Sequence, residues 1–487
     1  MEINELDIDN IIKQVLANIA PALMDKPVVK TYLPDNQIVG IVASNRIKYG
    51  IFETVDEAVE AADKAQQVYS KEYQLKDRDK LITALRTELT LEVNTLAKMT
   101  YDETGLGKYE DKVKKNLLAI NKTPGIEILK TEAISGDEGL TIIEHAPFGV
   151  IGAVTPVTNP TETIINNVIS MLTAGNSVVF NVHPGTKKSC TYLVERINQM
   201  IEVAGGPLNL VTMVKEPTMD SVKLLSTHPK IRMMVGTGGM GMVRSLLQSG
   251  KKVIGAGAGN PPVIVDKTAN IRTAATEIFM GASFDNNILC IAEKEVFVEK
   301  EVYADFIYYM VEAGAFLLTN AHLQQIMDLV LTHDSSGYHV AKNWVGKDAR
   351  KMLEAIGVVD NSDYKLLICE VAHNHPFVML EQLMPVLPIV KCDNLTEAID
   401  YALIAEQGNR HTASMFSQSI DNLTAFARKV ETTVFVKNAS TLAGVGFGGE
   451  GHTTMTIAGP TGEGITNAMS FTRQRRCVLG DGGFRII

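Results

Sequence analysis

The sequence predicts an α/β protein of two or three domains, and three observations carry that prediction. From Glu144 onward short apolar runs alternate with segments of helical period, the pattern of βαβ units building a parallel sheet. At 487 residues the chain is longer than one hydrophobic core ordinarily serves. Its 45% hydrophobic and 21% charged residues are the balance of a globular chain.

Composition also narrows the partners. A formal charge of −10 and a pI of about 5.6 argue against nucleic acid, which needs a basic face. No apolar run reaches membrane-spanning length, so no membrane partner is expected. Cys190, Cys290, Cys369, Cys392 and Cys477 form no CxxC pair, an odd and scattered set that fits a reducing cytoplasm. His373 and His375 stand as a lone pair, and no metal is expected.

In chain order, Ile8, Ile12, Val15 and Ile19 recur at helical spacing, which predicts an amphipathic helix over 1–19. Its acidic start and the interruption at Lys13-Gln14 are unlike a secretory signal. Pro21, Pro27 and Pro34 mark 20–45 as a linker. A helix on such a tether either docks on a partner or packs back on its own domain. Val55, Ala58, Val59, Ala62, Ala65 and Val68 predict a second helix, from Val55 to Tyr69. Leu85, Leu89, Val93 and Leu96 predict a third from Leu81 to Lys98, with Asp102 to Gly105 ending the helical stretch.

The strand-like run up to Val154 leads into Thr155-Pro156-Val157-Thr158-Asn159-Pro160. Asn159 therefore stands at the carboxyl edge of a strand, where open α/β sheets bind ligands. Its amide either donates to an oxyanion or caps the helix beginning at Pro160. Ser177 to Asn181 is a second buried strand. Ile231 to Val235 is another, running into Gly236-Thr237-Gly238-Gly239-Met240-Gly241, formally a GxGxxG. No Asp or Glu occurs between Gly241 and Asp266, so the ribose-binding acid of a dinucleotide fingerprint is missing. What remains is a glycine-rich turn at a helix start, able to approach a pyrophosphate.

The run Ser283-Phe284-Asp285-Asn286-Asn287-Ile288-Leu289-Cys290 puts a cysteine after an Asn-rich turn and before the strand-like Glu295 to Val298. Such a cysteine is either a thiolate nucleophile at a pocket lip or a buried core residue.

Taken together, Pro156-x-x-Asn159-Pro160, Gly236 to Gly241, the glycine-rich Gly255 to Pro262, Cys290 and Glu381-x-x-x-Pro385 resemble the aldehyde dehydrogenase superfamily over nearly all of the chain after residue 45. Asn-Pro-Thr-Glu-Thr from Asn159, Ala-Gly-Ala-Gly-Asn-Pro-Pro from Ala256, the Cys-Ile-Ala-Glu-Lys at Cys290 and Phe-Thr-Arg-Gln-Arg-Arg-Cys from Phe471 resemble its CoA-acylating branch. That branch includes the propionaldehyde and acetaldehyde dehydrogenases of bacterial microcompartments.

The resemblance implies oxidation of a short-chain aldehyde to acyl-CoA with NAD and CoA. Cys290 would be the nucleophile, and the Asn159 amide and Cys290 backbone N–H the oxyanion donors. Thr155, Pro156, Asn181, Gly236, Thr237, Gly241 and Gly257 would lie along the cofactor, with Glu381 on the nicotinamide ribose. Asn181 stands where many relatives carry Lys on the adenosine side. Hydrolytic relatives carry a Glu at the position of Ala256, and its absence disfavours attack by water. His411 is either the proton acceptor for the CoA thiol or a structural histidine. Arg473, Arg475 and Arg476 either meet CoA phosphates or sit at the surface or a subunit contact.

The implied architecture is aldehyde dehydrogenase-like. A Rossmann-type cofactor domain would span 46–130 and 150–255, an α/β catalytic domain 256–450, and a β oligomerisation element 131–149 with 451–487, making a dimer or tetramer. Helix 1–19 then reads as an encapsulation peptide for a microcompartment shell protein, placing the enzyme in the cytoplasm inside such a compartment. A hydrolytic dehydrogenase and a non-catalytic cargo adaptor are the rival readings.

Overall fold

The computed structural model describes residues 49–360, 362–482 and 486; the expected helix 1–19 and linker 20–45 lie outside them. Two parallel sheets organise the described chain. In the first, six strands run in the order Ile51–Phe52, Val211–Val214, Ser177–Asn181, Val150–Val154, Ile231–Thr237 and Lys252–Ala256. Every neighbouring pair is parallel. Its strands are buried on both faces, which is why they read as unbroken apolar runs. Along Val150–Val154 the pleat sends Ile151 and Ala153 into one core and Val150 and Val154 into another. The first core is closed by the helices Leu75–Thr104, Pro160–Thr173 and Lys187–Val203, the second by Val55–Glu72 and Met219–Thr227.

From Val150–Val154 the chain adds strands outward to Val211–Val214, then crosses back to lay Ile231–Thr237 on the other side of Val150–Val154. That reversal opens a crevice at the carboxyl ends of these two strands, where open α/β sheets bind ligands. Thr155 to Asn159 and the turn Gly236 to Gly241 leave the sheet at this crevice.

The second sheet has seven strands in the order Ala315–Leu317, Leu366–Glu370, Val386–Cys392, Glu295–Glu299, Pro262–Val265, Thr412–Phe416 and Val434–Lys437, again all parallel. Only residues 257–261 separate the end of Lys252–Ala256 in the first sheet from the start of Pro262–Val265 in the second. The carboxyl edge of one sheet thus passes directly into the amino edge of the other. Among the described residues, no helix is long and apolar enough to cross a membrane.

Some element boundaries differ from those expected. The second helix runs Val55–Glu72, and it buries Tyr69 while leaving Val68 exposed. The third runs Leu75–Thr104 and stops at Gly105, whose φ of 61° is the left-handed helix end that glycine tolerates. Its first turns, Leu75 to Lys80, are too polar for periodicity to reveal. A further helix, Tyr109–Lys122, was not expected although Val113, Leu117 and Ile120 recur at helical spacing; besides Ala119 and Ile120 it buries Asp111, Lys112, Lys115 and Asn116.

Glu132–Gly136, Gly139–Pro147 and Thr472–Gly480 form a three-stranded antiparallel sheet with mostly exposed residues. Of the tail 451–487, expected whole in an oligomerisation element, the strand Thr472–Gly480 joins this sheet. Ala458, Ala468 and Phe471 instead return to the first core, because their apolar side chains find burial there.

Candidate active site

Cys290 follows a loop with an unusual backbone. Asp285, Asn286 and Asn287 have φ of 46°, 53° and 62°, three successive residues in the left-handed region. Asp and Asn tolerate that region best among residues with a side chain, because their short polar groups bond the nearby backbone. Asn286 Nδ2 donates to the carbonyls of Gly107 and Gly346 and to Asp348 Oδ1. Asn287 Nδ2 donates to the carbonyls of Ala282 and Glu293. Buried Lys294 closes the loop from the far side: its Nζ donates to Asn287 Oδ1 at 2.5 Å and to the Asn287 and Leu289 carbonyls at 2.9 Å each.

Cys290 is partly exposed at the end of this loop. Burial first, and the Glu381 carboxylate second, push its thiol up to about 12, against the pull of Lys294 and of the Cys290 and Ile291 backbone N–H groups. Lys294 is itself lowered to about 8, chiefly by burial.

A cavity of about 490 Å³, counting its open mouth, lies against Cys290 and Asn159 and is walled by Leu118, Phe284, Ile291, Leu442, Val445, Phe447, Met455 and Ile457, with Lys115 and Thr454 as further polar members. No carboxylate lines it. Asn159 occupies the N-cap position of the helix Pro160–Thr173, but its side chain makes no capping hydrogen bond, which removes the side-chain capping alternative. Its Oδ1 instead accepts from Lys115 Nζ at 2.7 Å, and its Nδ2 donates to Thr158 Oγ1 at 3.2 Å. Lys115 also pairs with Asp285 at 2.5 Å and Glu162 at 3.4 Å, and Lys112 pairs with Asp285 at 3.4 Å. Two cations and two anions, all essentially inaccessible, balance one another. Burial lowers the Lys115 pKa, but Asp285 and Glu162 together outweigh it and the net shift is upward.

Glu381 and His411 meet Cys290 through Gly259. The Gly259 N–H faces Glu381 Oε1 at 3.4 Å. A Cβ on Gly259 would stand 2.8 Å from the Cys290 carbonyl oxygen and 2.9 Å from the His411 ring, so only glycine lets these elements approach. Burial raises Glu381 to about 7, with Lys294 and the Gly259 N–H opposing. His411 Nδ1 lies 2.8 Å from Thr412 Oγ1, while the buried Nε2 has no hydrogen-bond partner. Burial, then Lys294, lower the imidazole to about 4, which keeps it neutral near pH 7.

The remaining expected cofactor residues lie on the first sheet. Thr155 is buried with its Oγ1 unpartnered, beside partly exposed Pro156. Gly236 is packed, Thr237 Oγ1 lies 2.9 Å from Thr456 Oγ1, and Gly239 and Gly241 face open space at the start of the helix Met240–Leu247. Asn181 is engaged: its Oδ1 accepts from Ser221 Oγ at 2.5 Å and its Nδ2 donates to the Thr218 carbonyl at 3.4 Å. Gly257 packs so closely on Met240 that a Cβ would fall 2.4 Å from its sulfur. An orphaned hydroxyl, open glycines at a helix start and a carboxylate near Cys290 fit a dinucleotide spanning the crevice. Arg473, Arg475 and Arg476 are exposed on the outer antiparallel sheet. His373 stacks on Tyr401 at 3.9 Å, and no group of three or more metal-ligating side chains occurs among the described residues.

Sequence reasoning missed Lys115, Glu162, Asp285, Lys294 and Gly259. Glu162 and Asp285 sat inside motifs already singled out, and Lys294 four residues after Cys290. Lys115 had no local signal, since its partners lie 44 and 170 positions on.

Comparison with known proteins agrees with this geometry. The aldehyde dehydrogenase family matches residues 43–474. Over 434 residues the chain is 47% identical to the propanal dehydrogenase (CoA-propanoylating) of Salmonella typhimurium, covering 89% of this chain and 92% of that protein. The crystal structure of Rhodopseudomonas palustris propionaldehyde dehydrogenase with bound CoA and an acylated cysteine is 48% identical, with a TM-score of 0.87 over 90% of this chain and 100% of that one. A propionaldehyde dehydrogenase from the fucose utilisation microcompartment of Clostridium phytofermentans is 45% identical, with a TM-score of 0.86 over 89% of this chain and 98% of that one.

Proposed function

The chain belongs to the aldehyde dehydrogenase family, and from that premise we propose how its own residues perform the CoA-acylating reaction of the relatives it matches. It is a CoA-acylating aldehyde dehydrogenase that converts a short-chain aldehyde, propanal or acetaldehyde, to the acyl-CoA with NAD. The observation that carries the proposed roles is the cavity, in which Cys290 and Asn159 line an apolar space that contains no carboxylate.

Cys290 sulfur, as thiolate, adds to the aldehyde carbonyl carbon, and the carbonyl π pair becomes an oxyanion. The free Nδ2–H of Asn159 and the Cys290 backbone N–H hold that charge in a dry pocket, where a fixed donor acts most strongly. NAD, when bound, supplies the acceptor for the hydride that leaves this carbon. We assign Thr155, Pro156, Asn181, Gly236, Thr237, Gly241 and Gly257 to its contact surface, and Glu381 to its ribose. A thioester then remains on Cys290. With Ala256 in place of the family's water-activating Glu and no carboxylate in the cavity, water is a poor second nucleophile. The CoA thiol loses its proton to neutral His411 Nε2, attacks the thioester carbonyl and expels Cys290 as thiolate.

In domain terms, the cofactor side is the first sheet, and the second sheet holds the nucleophile. The outer antiparallel sheet is our candidate for a homo-oligomer contact. Residues 1–19 are our candidate for the shell-protein contact, inside a cytoplasmic microcompartment.

Mixing enzyme, NAD and propanal without CoA tests the assignment of the nucleophile. Mass spectrometry should find a propanoyl group on the peptide containing Cys290, and adding CoA should release it as propionyl-CoA. Cys290→Ala should form neither adduct nor NADH. An adduct on another residue would overturn the assignment.

A further inference from the structure

The helix Tyr109–Lys122 turns a polar face into the protein interior, and one member of that face touches the oxyanion donor. Lys115 Nζ lies 2.7 Å from the side-chain oxygen of Asn159. An ammonium has three donors and no acceptor, so the atom it contacts must be the amide oxygen. That contact decides which way round the amide sits. With Oδ1 held by Lys115, Nδ2 is turned away from the ammonium and keeps one N–H beyond its bond to Thr158 Oγ1. With the amide reversed, the oxygen would face the developing negative charge and repel it.

The same ammonium reaches the other half of the site. Its 2.5 Å pair with Asp285 ties it to the left-handed loop that ends at Cys290, and Lys108 N–H donates to the other oxygen of that carboxylate at 2.6 Å. Nζ also donates to the Thr158 carbonyl at 3.4 Å, and the Glu162 carboxylate stands 3.4 Å away as a second counter-charge. One buried cation thus holds both the side-chain donor and the loop carrying the nucleophile and its backbone N–H.

We propose that Lys115 is a positioning residue for the acylation step, locking the Asn159 amide with its N–H toward the oxyanion and joining it to the Cys290 loop through Asp285. This rests on the oxyanion role assigned to Asn159, and the test separates the two.

The readout is the rate of the NADH burst from propanal and NAD without CoA, which reports acylation alone. Asn159→Ala should slow the burst on the order of 100-fold, as losing one oxyanion donor does. Lys115→Met should slow it about tenfold or more, with the half-saturating propanal concentration changed less than about twofold. The double variant should lose less than the product of the two single losses, because the part of the Lys115 effect that runs through the amide is already gone. A structural role, or direct contact between Lys115 and substrate, would multiply the two losses and overturn the proposal. Asn159→Ala at the parent rate would instead overturn the oxyanion assignment itself. Since Lys115→Met strands buried carboxylates, the charge-balanced Lys115→Met with Glu162→Gln is the second variant. A folded balanced variant with the parent burst rate would also overturn the proposal.

Discussion

Cys290 faces opposing demands. Its chemistry needs a thiolate, yet burial and the Glu381 carboxylate push the thiol up to about 12. Lys294 and two backbone N–H groups pull the other way. Anything that removes the Glu381 charge from the sulfur, whether protonation near pH 7 or a ligand on the carboxylate, moves the balance toward thiolate. His411 shows the same dryness with the opposite sign, since burial lowers its pKa from 6.5 to about 4. Above pH 6.5 it is neutral folded or unfolded; as pH falls toward 4, only the unfolded chain gains the proton and stability is lost. His411→Gln should therefore lose less melting temperature than the parent between pH 6.5 and 4. It should also slow release of propionyl-CoA while sparing the CoA-free NADH burst. Parallel melting curves would contradict the lowered pKa, and an unchanged thiolysis rate would remove His411 from the proton-acceptor role. Cys290, Asn159, Glu381 and His411 could be singled out from sequence because each sits in a local motif; the lysines that tune them could not, because their influence is spatial.

At the scale of elements, the site is built where two edges of opposite sense meet. Asn159 and the Gly236 to Gly241 turn follow strands of the first sheet, whereas Cys290, Gly259, Glu381 and His411 all precede strands of the second. The carboxyl-edge rule for parallel sheets locates the first group and says nothing of the second. The strands themselves were legible as doubly buried apolar runs. The helix Tyr109–Lys122 has a legible apolar stripe in Val113, Leu117 and Ile120, but apolar period reports only apolar burial and says nothing of Lys112, Lys115 and Asn116, which are buried beside it. The left-handed loop is the element most exposed to mutation. Asn286→Ala removes a donor to the carbonyls of buried Gly107 and Gly346 and to part-buried Asp348, and leaves a left-handed backbone without its Asn. We expect a loss of about 2–4 kcal/mol, seen as a lowered melting temperature together with a slower NADH burst. A variant as stable as the parent would mean that Asn287, Asp285 and Lys294 hold the loop without Asn286.

For the whole molecule, the product is decided by what attacks the thioester. In the proposed assignment the second sheet delivers the nucleophile Cys290 and the first delivers the oxyanion donor Asn159. Residues 257–261, which join them, contain Gly259, so the chain is tightest where both halves must register. A cavity walled mostly by aliphatic and aromatic side chains suits the alkyl chain of a small aldehyde and offers water no base. The most direct measurement is therefore steady-state NADH formation from propanal and NAD, with and without CoA, with the organic product identified. Turnover that requires CoA and yields propionyl-CoA is the predicted result. Sustained turnover without CoA to free propionate would contradict it and point to a water-activating base elsewhere in the site.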